Sequence, residues 1–262
     1  MKLELYQIDA FTDELFKGNP ACVVPLKNWL PDEMLLKIAR ENAVAETAFF
    51  IDSGQEIHLR WFTPEIEMDL CGHATLATAH CLISLLNYPG NTVIFHTKSG
   101  QLKVSFENDL YYLDFPSRMP IPSDLPEQIS EALSIQPREV FKARDYVLVY
   151  DSEDDIRNIR INRAIFDLIN LDPGGVIVTA KGERSDFVSR FFIPQAAILE
   201  DPVTGSAHCS LIPFWAQRLG KKDLFALQLS ERQGQLYCKD QNDRVIIAGK
   251  AKTYSAGFFW TE

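Results

Sequence analysis

Apolar and polar positions alternate from the first residues, and LELYQIDAF at 3–11 predicts a strand. Lys17-Gly-Asn-Pro20 marks a turn, and ACVVPL after it predicts a second strand. From Pro31 to Asn42 the apolar residues recur at helical spacing, with proline at the start, where its missing N–H is harmless. Short strands are expected around AETAFFI and IHLRWFT. Gly72 precedes a run from His73 to about Leu86, rich in Ala, Leu and Ile, that predicts a buried helix. TVIFHTKSGQLKVSFENDLYYLDFP reads as further strands with a glycine turn. Pro116 to Pro126 holds four prolines in eleven positions, the composition of a semi-rigid linker. Beyond it, strands are expected near DYVLVY and GVIVTA, a helix near Ala164–Ile169, a strand at RFFIP and a helix after Gly205. Pro213 should kink or interrupt that last helix. QLSERQGQLYCK and DRVIIAGKAKTY supply the closing strands.

The same pattern occurs twice. Residues 60–82, RWFTPEIEMDLCGHATLATAHCL, are echoed by 190–211, RFFIPQAAILEDPVTGSAHCSL. Both open on Arg-aromatic-Phe-x-Pro, pass an acidic stretch and reach a glycine before a small-residue helix. Gly72 and Gly205 lie 133 residues apart, and Gly100 and Gly234, in the later Gly-Gln-Leu echo, 134 apart. Two matches in register across such a gap indicate an internal duplication. The expected fold is α+β: two similar domains, 1–116 and 117–262, each a curved, barrel-like sheet around one central helix and related by a pseudo-twofold axis. A site in the cleft between the halves is expected.

Composition narrows the chemistry. The 262 residues suit two domains of ordinary size. No apolar run is long enough to span a membrane, and the N-terminus lacks the features of a secretory signal. The five cysteines include no CxxC pair, so a zinc knuckle has no support and a reducing, cytoplasmic setting is expected. A net charge of −10 excludes a nucleic-acid partner of the usual basic kind. Binding of a small anion must then depend on local donors such as helix N-termini.

Two glycine-led helix starts offer such donors: Cys71-Gly-His-Ala-Thr75 and Thr204-Gly-Ser-Ala-His208. A helix start leaves several N–H groups unpaired and carries partial positive charge, so Gly72, Gly205 and Ser206 are candidates for holding a carboxylate. The alternative is an ordinary cap, with Thr204 or Ser206 satisfying the first turn. Glu46 stands alone in the apolar run Ala43–Phe50, where burial would raise its pKa and make it a proton-transfer group. A surface glutamate closing a turn is the competing reading. His80 is expected to serve packing, and Glu65, Glu67 and Asp69 alternate as a solvated edge. No P-loop, GxGxxG, GxSxG or HExxH occurs.

The segments Asp9-Ala-Phe-Thr12, Phe16-Lys-Gly-Asn-Pro20, Glu46-Thr-Ala-Phe49, Arg60-Trp-Phe-Thr-Pro64, Leu70-Cys-Gly-His-Ala-Thr75 and Glu200-Asp-Pro-Val-Thr-Gly-Ser-Ala207 resemble the phenazine-biosynthesis isomerase family, from the N-terminus to about Gly249. The resemblance implies a diaminopimelate epimerase-like fold, no metal or organic cofactor, a homodimer, and proton movement on a small carboxylate-bearing substrate. It implies catalytic roles for Glu46, His73 and Asp201, backbone donation at Gly72 and Gly205, and substrate contacts from Ser206 and Asn19. Related racemases on this fold use two thiols. Cys71 sits where the first would be expected, but Asp201-Pro202 stands where the second should lie, so a single-carboxylate isomerase is favoured. A racemase using Cys71, or a non-catalytic binding protein, are the alternatives.

Overall fold

The computed structural model describes residues 1–172 and 174–261, a mixed α+β chain that divides into two compact units. In the first, β1 (Lys2–Ala10) pairs antiparallel with β2 (Asn19–Pro25). The helix α1 (Asp32–Asn42) then leads to β3 (Glu46–Asp52), which runs parallel to β2. Next, β4 (Ile57–Phe62) pairs with β3 and with the two-residue β5 (Glu67–Met68). After α2 (Gly72–His80) and a π-helical turn over Cys81–Leu85 come β6 (Thr92–Thr97), β7 (Gly100–Glu107) and β8 (Leu110–Pro116).

The two helices of this unit differ as their sequences do. In α1, Leu35, Ile38 and Ala39 are buried, while Glu33 and Lys37 form an exposed ion pair one turn apart. Pro31 is its N-cap, and Ala43 ends it in the left-handed region at φ 52°. By contrast α2 is buried from His73 to Ala79 and packs against β1, β2, β3 and β7. Such a helix has no solvated face, so its polar groups must be satisfied internally. The Thr75 and Thr78 hydroxyls do this by donating to Cys71 O and Ala74 O.

The second unit contains β9 (Ile121–Pro122), α3 (Glu127–Ala132), β10 (Glu139–Lys142), β11 (Tyr146–Val149), α4 (Glu153–Asn158), α5 (Arg163–Phe166), β12 (Val176–Lys181) and β13 (Phe187–Phe192). It continues with α6 (Gly205–Leu219), β14 (Asp223–Gln228), β15 (Gly234–Asp240) and β16 (Arg244–Gly249). Its core joins Leu148, Val176, Val178, Val188 and Phe192 of the sheet to Ile129, Ile156 and Phe166 of the short helices. The last strand, β17 (Ala251–Trp260), returns to the first unit and pairs with β1 along its whole length. A division into 1–116 and 117–262 therefore misses the origin of one strand of the first unit.

A break in the last long helix and an unanchored proline segment are both absent, for one shared reason. The stretch 116–126 is no free linker: β9 pairs with β10, Ser117 N donates to Asp243 O, and Arg118 N donates to Cys209 O. Nor does Pro213 interrupt α6, which runs unbroken from Gly205 to Leu219. Proline removes the bond that would reach the carbonyl four residues back, which here is Cys209 O. The Arg118 amide takes that carbonyl instead, at 2.9 Å. The irregular segment and the irregular helix residue satisfy each other.

Candidate active site

The strand register within the two units repeats, in line with the sequence echo. In the first unit Cys22, Thr47, Phe62 and Glu67 lie side by side across β2, β3, β4 and β5, through one parallel and two antiparallel pairings. In the second, Tyr146, Val176, Phe192 and Glu200 form the same row with the same senses. Glu46 precedes this row by one residue in the first copy, and Gly175 does so in the second. Each row ends at a glutamate five residues before a glycine-led helix, Glu67 before Gly72 and Glu200 before Gly205.

The first copy gathers Glu46, His73, Cys71 and Asn19. Glu46 Oε2 lies 3.0 Å from His73 Nε2, with the two side chains 15% and 5% exposed. The atoms are close enough for an ion pair but too poorly aligned for a hydrogen bond, so neither makes one. The other ring nitrogen, Nδ1, lies 3.2 Å from Asn19 Nδ2 and 3.5 Å from Cys71 Sγ. With that amide nitrogen facing Nδ1, the neutral ring keeps its proton on Nε2, toward Glu46. The charged ring needs the Asn19 amide turned over so that its oxygen accepts.

Burial works against charge on His73, but Cys71 and Glu46 beside it outweigh burial and hold the imidazole well above its usual 6.5. Burial, reinforced by Glu46, pushes the Cys71 thiol up, which disfavours a thiolate base at that position. Glu46, Cys71 and His73 place metal-ligand atoms within 4.8 Å of one another. However, the thiol approaches Nδ1 and the carboxylate approaches Nε2, and the lone pairs of those nitrogens diverge across the ring. One ion cannot engage the thiol and the carboxylate together with a single ring nitrogen in these positions, so the residues fit proton handling better than metal ligation.

No side chain caps α2, whose N-cap is Cys71. The second copy shares this property. Thr204, the N-cap of α6, donates its hydroxyl to Asp201 Oδ2 at 2.6 Å instead of capping the first turn. Gln228 fixes the turn by accepting from Thr204 N at 2.9 Å and donating to Asp201 O at 2.8 Å. The ordinary-cap alternative for Thr204 therefore does not hold. Gly205 and Ser206 open the helix beside the half-buried Asp201, so the expected residues of this unit lie together. Sequence reasoning missed Gln228, which lies in a strand with no local signal of its role.

His208, at the position of Thr75 in the first copy, is fully buried, and its Nδ1 lies 2.8 Å from Thr204 O. Burial pushes it down to about 4. His80 is likewise pushed down to about 4 by burial, between the Tyr111 and Thr253 hydroxyls. Its packing role accounts for all of its contacts. The five cysteines are free and buried.

Glu67 corrects one expectation. It is not part of a solvated edge: its carboxylate accepts from Arg60 Nε and Nη2 at 2.7 and 2.8 Å and is joined by Lys98. Arg190 grips Glu200 with the same two atoms at the same distances. Each arginine also lies over the phenylalanine two residues on, Phe62 at 5.1 Å and Phe192 at 4.9 Å. The concavities that stand out lie elsewhere. One of about 410 Å³ is lined by Met119, Pro213 and Lys221, and one of about 340 Å³ by Pro25, Phe50 and Tyr88. The polar geometry, not the depth of a pocket, marks the chemistry.

Comparisons with known proteins agree in kind with this geometry. The model of the family described as phenazine biosynthesis-like protein matches residues 8–257. An isomerase of Pseudomonas aeruginosa, itself uncharacterized, is 49% identical over 98% of each chain. The crystal structure of a phenazine biosynthesis protein PhzF family member from Enterococcus faecalis superposes with a TM-score of 0.95 at 44% identity, covering all of both chains. A hydroxyproline epimerase from Agrobacterium vitis shares the fold at 12% identity, with a TM-score of 0.63 over 98% of this chain and 92% of its own. Among the described residues no helix is long and apolar enough to cross a membrane.

Proposed function

Because the chain belongs to the phenazine biosynthesis-like family, we propose that it moves a proton between carbon atoms of a small carboxylate-bearing metabolite, with Glu46 as the acid/base and no cofactor. At the coarse level it is an isomerase of this family. The finer reading is carried by one observation, the pair of half-buried Glu46 and buried His73 at 3.0 Å beside an uncapped, glycine-led helix start.

Glu46 takes a proton from carbon and returns it to the same molecule. His73, kept protonated-prone by its surroundings, compensates the carboxylate charge before transfer and holds its oxygen in place. Amides at the start of α2 stabilise negative charge that develops on the substrate. Gly205, Ser206 and Asn19 receive the substrate-binding roles, and Asp201 the catalytic role, that the sequence resemblance implies; Asn19 also lies beside His73 Nδ1 at 3.2 Å. A homodimer is carried in the same proposal, with light scattering as its measurement.

The test is solvent exchange. The protein is incubated in D₂O with a panel of small cyclic and unsaturated carboxylates, and deuterium uptake is followed by mass spectrometry and NMR. Uptake into at least one compound, lost in Glu46→Gln, is the expected result. Uptake that survives that substitution removes Glu46 from the role.

A further inference from the structure

We infer that the two arginine–glutamate forks, Arg60–Glu67 and Arg190–Glu200, are positioning devices, each setting the pose of the uncapped helix start five residues beyond its glutamate. In kinetic terms the inference rests on the proposed function, but its structural content is independent of it.

Three observations converge. First, the forks are equal in geometry: Nε to one carboxylate oxygen at 2.7 Å and Nη2 to the other at 2.8 Å in both copies. Two-point contact of a planar guanidinium fixes direction as well as distance. Second, each fork closes the same small unit. Glu67 pairs with Phe62 and Glu200 with Phe192, so each carboxylate ties the strand that carries its arginine to the segment that leads into the helix. Third, each leading segment has further ties but no regular structure of its own. Ser99 Oγ donates to Asp69 O in the first copy, and Gln228 holds Asp201 and Thr204 in the second.

A cap normally fixes where a helix begins, and neither α2 nor α6 has a side-chain cap. A start kept open for a ligand must be held from elsewhere, and the forks are the repeated ties at the right place. Their anchorage also differs, as a local device allows. Arg60 reaches Asp32 and stacks over Trp29, whereas Arg190 donates to Ile156 O and Ile159 O. The fork is common to both copies while its surroundings are not.

Hydrogen–deuterium exchange on the full chain tests this. In Glu67→Gln, amides over 68–74 are expected to exchange at least tenfold faster, with the β7–β8 hairpin unchanged. Glu200→Gln should do the same over 201–207 and leave 68–74 alone. A second readout is the His73 ring, observed by NMR. Its neighbours Glu46, Cys71 and Asn19 lie on β3, the segment before α2 and β2, so a displaced α2 start separates the ring from Glu46. Its titration midpoint should fall toward 6.5 in Glu67→Gln and stay fixed in Glu200→Gln. Unchanged exchange over 68–74 overturns the inference, and so does uniform acceleration across the unit, which would mark the fork as general support only. If Glu67→Gln fails to fold, Arg60→Lys, which keeps the charge and loses the planar grip, takes its place with the same outcomes. Absence of deuterium uptake into any carboxylate would sink the proposed function and leave these results standing.

Discussion

The two copies of the repeat keep the same frame and fill it differently. Both have the four-strand row, the fork and an uncapped glycine-led helix. The first places Glu46 ahead of its row and His73 on the helix. The second places Gly175 and Ser206 at those positions. An added Cβ at Gly175 would come within 2.5 Å of the Phe191 ring and 2.7 Å of Phe192 O, so that position has no room for an acid. Duplication preserved what sets backbone position and released what sets proton chemistry. The proposed acid/base role of Glu46 therefore has no counterpart at Gly175.

The largest expected effect breaks that asymmetry directly. Glu46→Gln should slow deuterium uptake by roughly 10²–10⁴-fold, the usual contribution of a positioned acid/base, with folding unchanged by circular dichroism. If Asp201→Asn, which removes the second copy's candidate acid, slows uptake as much as Glu46→Gln, the two copies share the proton chemistry and the comparison fails. Next, Gly175→Ala should destabilise the fold by about 1–3 kcal/mol through overpacking, measured by urea denaturation. A neutral result there would mean the second copy could hold a side chain and simply lacks one.

The histidines sharpen the contrast through pH. His73 has its folded pKa raised, so the stability it contributes is full below about 6.5, its unfolded value, and is lost as pH rises through the elevated folded value. His208 has its folded pKa lowered to about 4, so its stabilisation of the fold is present above 6.5 and is lost as pH falls from 6.5 to 4. His73→Asn should remove the alkaline decline, and His208→Asn should reduce the acid decline, to which His80 also contributes. Thermal melts from pH 4 to 9 separate them. The smallest effect is expected at Cys71: Cys71→Ala should retain uptake within about tenfold, because the thiol is held protonated by burial and by Glu46. A complete loss, together with alkylation that substrate prevents, would restore the thiol racemase.

Much of this was legible in the sequence because it is local. A glycine before a small-residue helix, repeated at fixed offset, needs no tertiary information. A single carboxylate in an apolar run likewise draws notice to Glu46. What the sequence hid depends on partners distant along the chain. Glu67 alternates with Glu65 and Asp69, which reads as a wet edge, and only the pairing of β4 with β5 turns it toward Arg60. The approach of Glu46 to His73 needs β3 and α2 packed together. Proline composition signals irregular backbone but not whether that backbone finds partners, so neither the anchoring of the 116–126 stretch nor the continuity of α6 through Pro213 could be read from it.

The path of the last strand has a consequence for how the chain is made. Since β17 completes the unit that β1 begins, that unit stays missing one sheet edge until a segment beyond the whole of the other unit has been made. During that interval β1 would present an unpaired edge to solvent or to a chaperone. A variant lacking Ala251–Trp260 should therefore aggregate rather than fold to a shortened enzyme.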